Sequence, residues 1–463
     1  MVSSVLKRHL DGDGGIRQLL PIAVPMILTS VFDTLMTFID RVYLSYVGKT
    51  ELSASFSAGI TSWMCICLFV GLIGYTGAVV AQFYGAKRYT ECPHVVEQSL
   101  RLAFLCYPLC LLTCWLGAFT FGGEGHDPEQ ARLERIYFWY LSFGCIVALL
   151  RGAYCGFFAG IGKTKIIMVA NCVALVVNLT VNYVLIFGKF GCPAMGIRGA
   201  AIGTVLAGLA MALIVMFQYY REIRKPPFVG TPSGFDWGKL RTLVVYGAPS
   251  GVGQLLGMGS FVVIVYLLNA YGADVAAATT ITFNWDNVSF FPLIGLQTGV
   301  STLVGQFMGA QKPELAERSA YSGFKLALSY SICGVFAFCL FPHILVGVFT
   351  PEGEGLDYAQ VRTIAIPMLR AAALYLLFDA IHLISSGALF GAGDTLWTTV
   401  LNVCLSWIGA LGLWVTIRIL NVSPIQAWIT FVFFVMFHSV IIYVRFRLGG
   451  WKNIRMIQDK ERG

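Results

Sequence analysis

The stretch "VAQFYGAKR" at residues 80–88 recurs as "VGQFMGAQK" at 304–312, an offset of 224 residues. The same offset lays Pro25 on Pro249, Gly48 on Gly272 and Gly71 on Gly295. Further along, "GIGKT" at 160–164 recurs as "GAGDT" at 391–395, and Asn171 falls on Asn402, now at an offset of 231. Single glycine matches are cheap in a chain with 50 glycines, but ordered blocks at a near-constant offset are not. The chain therefore reads as a duplication. A polar, proline-containing segment, "YYREIRKPPFVGTPSGFDWGKL" (219–240), joins the copies. The division is an N-terminal half at 1–220, a linker at 221–240 and a C-terminal half at 241–463.

Composition says what each copy is made of. The 463 residues are 57% hydrophobic and 12% charged, whereas a soluble domain is about half apolar and about a quarter charged. No core of this length hides so much apolar surface from water, so the bilayer must be its solvent. Twelve hydrophobic spans are read at 18–47, 53–84, 95–120, 136–159, 166–188, 199–220, 242–270, 276–308, 316–349, 359–390, 396–418 and 424–445. The expected fold is an all-α membrane protein of twelve transmembrane helices in two six-helix repeats. Six is even, so both halves enter the membrane in the same orientation. Parallel repeats of this kind are related by a pseudo-twofold axis along the membrane normal, and transporters place their substrate path between them.

The net charge of +8 is placed as topology rather than as a nucleic-acid surface. With twelve spans both termini share a side. About twenty Lys and Arg fall on that side, among them Lys7, Arg8, Lys87, Arg88, Arg224, Lys225, Arg445 and Arg447, against about seven opposite. This puts both termini in the cytoplasm of a multi-pass inner-membrane protein, with the acidic loops "GGEGHDPEQ" and "TPEGEGLD" outside. No cleaved leader is read, because the first span is too long for a signal segment. Cys106, Cys110 and Cys114, four apart, read as a packing stripe, and no disulfide framework is implied. "GFFAGIGKT" falls short of a phosphate-binding loop, because Phe157 stands where its first glycine must be. Neither an enzyme nor a cofactor is expected.

Several stretches carry a family resemblance: "FIDRVYLSYVG", "VAQFYGAK", "GFFAGIGKTK", "VNLTVNYVLIFG", "MGIRGAAIGTVLA" and "FDAIHLISSGALFGAGDT". In this order and spacing the chain, from about Leu20 to Val444, resembles a bacterial multidrug and toxic compound extrusion (MATE) transporter of NorM/DinF-like type. The resemblance implies a V-shaped pair of six-helix lobes that expels organic cations and other amphiphiles in exchange for protons or sodium.

Asp40, in "TFIDRVYL" of the first span, lies about fifteen residues past Pro25, beyond the midplane at about 1.5 Å per residue. A carboxylate facing lipid costs about 2.5–3.5 kcal/mol, so intramembrane acids face a cavity or mark an ion pathway. Asn178 and Asn182, at i and i+4 in the fifth span, share one helix face. The resemblance places both beside Asp40, with Thr204 completing a polar pocket, although many relatives carry Asp where this chain has Asn182. It also assigns Asp379 and Tyr375, one turn apart in the tenth span, to cation binding. Neither acid is repeated, since Asp40 maps on Ile264 and Asp379 on Ala148. The NorM-like branch has an acid in the seventh span, where this chain offers only Gln254. Asp286, with Asn284 nearby, could substitute. Asp33 is a further candidate. His382, one turn past Asp379, reads as a packed core histidine before it reads as a proton relay. Arg41 could pair with Asp40, but neighbours on a helix point about 100° apart. Arg151 is read at the cytoplasmic boundary of the fourth and fifth spans.

The expected function is antiport of cationic or amphiphilic small molecules by a monomer bathed in membrane lipid. The coupling ion is a proton, centred on Asp40 with Asp379 assisting, or sodium held at Asp40 or Asp379, with no other metal. The alternatives are a flippase for a lipid-linked precursor and a non-transporting scaffold. A flippase should need a broad basic cleft for phosphates, and the polar positions identified here are acidic or neutral.

Overall fold

The structure, a computed structural model, describes residues 12–121, 127–229, 234–349 and 359–457. Lys7 and Arg8, most of "GGEGHDPEQ" and the whole of "TPEGEGLD" lie outside these residues. Twelve helices are long and apolar enough to cross a membrane, and no strand occurs among the described residues. The first six are α1 (Ile16–Ser45), α2 (Lys49–Gly85), α3 (Glu91–Thr120), α4 (Pro128–Gly160), α5 (Thr164–Phe187) and α6 (Ile197–Glu222). The second six are α7 (Trp237–Asn269), α8 (Ala273–Gly309), α9 (Pro313–Leu340), α10 (Ala359–Ala392), α11 (Thr395–Arg418) and α12 (Pro424–Arg447). Helices are forced here because lipid offers the backbone no hydrogen-bond partners.

Local chemistry sets the ends. Asp127 caps α4, its side chain accepting from the Glu129 N–H at 3.1 Å ahead of Pro128. Ser423 and Gln426 form a reciprocal capping box at α12, with Pro424 at the first helical position. The span read at 316–349 is shorter than expected. α9 stops at Leu340, and Pro342 opens a separate short helix, Pro342–Gly347, because proline cannot donate to the preceding turn.

The duplicated motifs close their helices with duplicated geometry. Lys87 and its repeat mate Gln311 both take positive φ, 60° and 58°. The residues after them donate back to Phe83 O and Phe307 O at 3.0 and 2.9 Å. In the second motif Gly162 and Gly393 take φ of 79° and 98°, a conformation that glycine adopts without penalty. Lys163 N and Asp394 N then reach Phe158 O and Leu389 O at 2.8 and 2.9 Å. These bonds satisfy carbonyls that a helix end would otherwise leave unpaired. The charges beyond these turns are opposite. Lys163 pairs with Glu222 at the end of α6, whereas Asp394 pairs with Arg445 near the end of α12 at 2.9 Å.

The helices divide into two compact units. One is built on Val24–Leu255 and takes in Gly305–Lys312; the other is built on Leu256–Val304 and Pro313–Ile454. The units do not follow the sequence halves, because the first part of α7 packs on α2 through Gly247 and Gly251. Within each unit the fourth helix of the repeat is central. α4 packs on α2, α3 and α6, and α10 packs on α9 and α12. Apolar clusters fill the interiors, around Leu44, Phe121 and Phe138 in the first unit and Phe283, Tyr375 and Trp428 in the second.

Inside the first unit the two copies of the opening motif touch reciprocally. A Cβ on Gly85 would stand 2.6 Å from the carbonyl carbon of Gln306, and one on Gly309 would stand 2.7 Å from that of Gln82. Each motif's glycine thus lies against the other motif's glutamine backbone. Gly309→Leu should force this crossing apart and destabilise the protein by about 1–3 kcal/mol, the usual cost of overpacking. A melting temperature equal to that of the wild type in detergent would contradict this.

Candidate cation and substrate sites

Asp40 is buried near the end of α1. Its Oδ1 accepts from Asn182 Nδ2 of α5 at 2.5 Å, and its Oδ2 accepts from Thr204 Oγ1 of α6 at 3.3 Å. Asn178, one turn before Asn182 and fully buried, faces the same carboxylate. Neither polar atom of its side chain has a hydrogen-bond partner. The close approach of α5 and α6 is a small-residue contact, with Gly199 and Gly203 four apart against α5. A Cβ on Gly203 would overlap Asn182 Oδ1, so this glycine makes room for the amide that holds Asp40.

Two further residues complete the setting. Tyr137 of α4 is buried beside Thr204 and Asp40. Nothing in the sequence singled it out, since it sits in the aromatic run "YFWY". Arg41 turns away from Asp40, and its guanidinium lies over the Phe56 ring, 5.0 Å from the centroid. The hydrogen-bonding partners of the carboxylate are therefore neutral. Hydrogen bonds to a charged group contribute about 1.5–3 kcal/mol each, which holds the carboxylate in place without neutralising it.

Asp33, two turns earlier on α1, belongs to a different cluster. Asn171 Nδ2 donates to Asp33 Oδ1 at 3.1 Å and to Thr29 O at 2.9 Å. Arg151 of α4 acts on Asp33 through its charge and donates to Met211 Sδ at 3.7 Å. This corrects the expectation for Arg151. It lies nine residues before Gly160, about 13 Å inside the helix end at 1.5 Å per residue.

The second unit holds the other acids. Asp286 of α8 and Asp379 of α10 act on each other as like charges, and the Tyr375 hydroxyl faces Asp286 without closing a hydrogen bond. Asp286 thus places a second carboxylate near Asp379. Gln254 lies elsewhere, against Gly71 of α2. Asn284 does not join the acids: it is exposed, and its Nδ2 donates to Thr280 O of its own helix at 2.8 Å. His382 does not join them either, because its Nε2 meets Asn402 Oδ1 at 3.0 Å. Buried negative charge of this kind must be balanced by a proton or by a bound cation.

Comparison with known proteins gives these clusters a context. The MatE family model matches the chain twice, over residues 25–184 and 249–415, one match on each repeat. A probable multidrug resistance protein NorM of Mesorhizobium japonicum is 27% identical over 391 residues, 82% of each chain. A multidrug resistance protein MdtK of Yersinia pseudotuberculosis is 28% identical over 444 residues, 93% of this chain and 95% of its own. Among solved structures, the outward-facing conformation of a multidrug resistance MATE family transporter superposes with a TM-score of 0.84. That match has 18% identity and covers 96% of this chain and 98% of the other.

Proposed function

We propose, since this chain belongs to the MatE family, that it is a proton-coupled antiporter exporting cationic or amphiphilic compounds across the cytoplasmic membrane, with both termini inside. The observation that carries this reading is Asp40, buried and hydrogen-bonded by neutral donors alone. Multidrug resistance is what the names of the NorM and MdtK relatives attribute to those proteins.

The orientation of the Asn182 amide favours a proton over sodium. A sodium ion needs several oxygen atoms turned toward it, as hard cations do. Asn182 instead presents Nδ2 to Asp40 and keeps Oδ1 against Gly203. Thr204 has one hydroxyl hydrogen, which serves either Ala200 O at 2.9 Å or Asp40 Oδ2 at 3.3 Å. Such donors leave few oxygens for a cation, while burial away from water is what favours uptake of a proton by the carboxylate. Asp286, Tyr375 and Asp379 form the assisting site. The acidic and neutral character of both clusters argues against a phosphate-bearing lipid as substrate.

Expression in a bacterium lacking its own pumps tests the reading. Cells producing the folded protein should accumulate several-fold less ethidium than control cells. Equal accumulation, with the protein shown to be folded in the membrane, would sink it.

A further inference from the structure

Arg41 directly follows the carboxylate on which the antiport reading rests, yet the two do not pair. The guanidinium lies over the Phe56 ring of α2, 5.0 Å from the centroid. Among the described residues it makes no hydrogen bond or ion pair. The other carboxylates at this level are engaged elsewhere. On α2 Glu51 lies against Gly48, and on α4 Glu134 accepts from Gln130 Nε2 at 3.0 Å. No charge on α5 or α6 acts on Asp40 or Arg41. Asp40 is thus the one carboxylate whose charge acts on Arg41, and Tyr137 beside it is the one other titratable group that does.

Two places therefore compete for the guanidinium. A direct pair with Asp40 would add a charge-assisted bond, but an opposite charge in contact holds a carboxylate in its ionised form. The face of an aromatic ring attracts the same cation without supplying an anion. Successive residues diverge by about 100° around a helix, which aims Asp40 at Asn182 and Thr204 and Arg41 at Phe56. An arginine stem has many rotamers, so direction alone does not keep it there, whereas the ring does. Phe56 has little part in the core. It is 50% exposed, and Ala54, Ser55 and Ala58 form the buried side of its turn.

We propose that Phe56 is a positioning residue for proton exchange: its ring holds the Arg41 guanidinium off Asp40 and so leaves that carboxylate free to take up and give up a proton. The inference rests on the antiport reading above. Without the ring the guanidinium turns to the carboxylate, and an internal ion pair occupies the place that the proton needs.

Variants of the full-length protein test this in two ways. In proteoliposomes under a pH gradient, Phe56→Leu should slow ethidium efflux by about tenfold or more, the effect of a contact ion pair on a carboxylate. Phe56→Tyr keeps the aromatic face and should keep the rate. Adding Arg41→Gln to Phe56→Leu should restore efflux to within about threefold of the wild type, because the competing charge is gone. Undiminished efflux in Phe56→Leu would overturn the proposal. So would a loss that Arg41→Gln does not rescue, since damaged packing would persist in the double variant. Infrared spectra of the protein in detergent need no transport. The protonated-carboxyl band of Asp40, identified by its absence in Asp40→Asn, is compared at the pH where the wild-type band is half-maximal. It should be weaker by about threefold or more in Phe56→Leu and regain its strength in the double variant. Equal bands in the wild type and Phe56→Leu would overturn the positioning role. Absence of dye movement by the wild type would instead remove the antiport reading and leave the infrared band to decide the role of Phe56.

Discussion

Asp40→Asn is expected to abolish exchange while leaving the protein folded. Asparagine has the shape of the neutral acid. Its Oδ1 can still accept from Asn182 Nδ2, and Thr204 retains its bond to Ala200 O at 2.9 Å. What disappears is the group that can change charge. Efflux from proteoliposomes should fall at least about a hundredfold, some 2.7 kcal/mol of barrier, with a melting temperature close to that of the wild type. An active variant would remove Asp40 from the mechanism. A variant that unfolds would show instead that the carboxylate charge is structural.

The acids of the second unit should behave as one. Asp379→Asn alone is expected to leave transport, slowed by about tenfold, and Asp286→Asn should act similarly. Because the two carboxylates act on each other across the Tyr375 hydroxyl, the double variant should be little slower than the worse single one. Groups that share one function give such non-additive losses. Losses that multiply would mean two independent sites.

Much of the architecture is legible because the bilayer leaves the chain few choices. Twelve apolar stretches can only become helices, and the repeated motifs mark helix ends where the backbone geometry is copied residue by residue, as at Lys87 and Gln311. The sites are less legible. Asn182 and Asp40 are 142 residues apart, and no local pattern joins them; only the family resemblance did. Asp286 could be suggested from its acid in an apolar span, but its facing Asp379 depends on how α8 and α10 pack. Arg151 misled because an arginine near a span end usually snorkels, and the charge of Asp33 that draws it inward lies on another helix. Tyr137, one aromatic among 20 tyrosines and 34 phenylalanines, gave no signal at all. Asn171 and Asn402 were visible only as markers of the repeat, since the partners that give them meaning come from other helices.

The central claim, coupling of export to protons through Asp40, is tested most directly by ethidium efflux from proteoliposomes under two separate gradients. An imposed pH gradient without sodium should drive efflux in the wild type and not in Asp40→Asn. A sodium gradient at equal pH should drive none. Efflux driven by sodium alone would contradict the account.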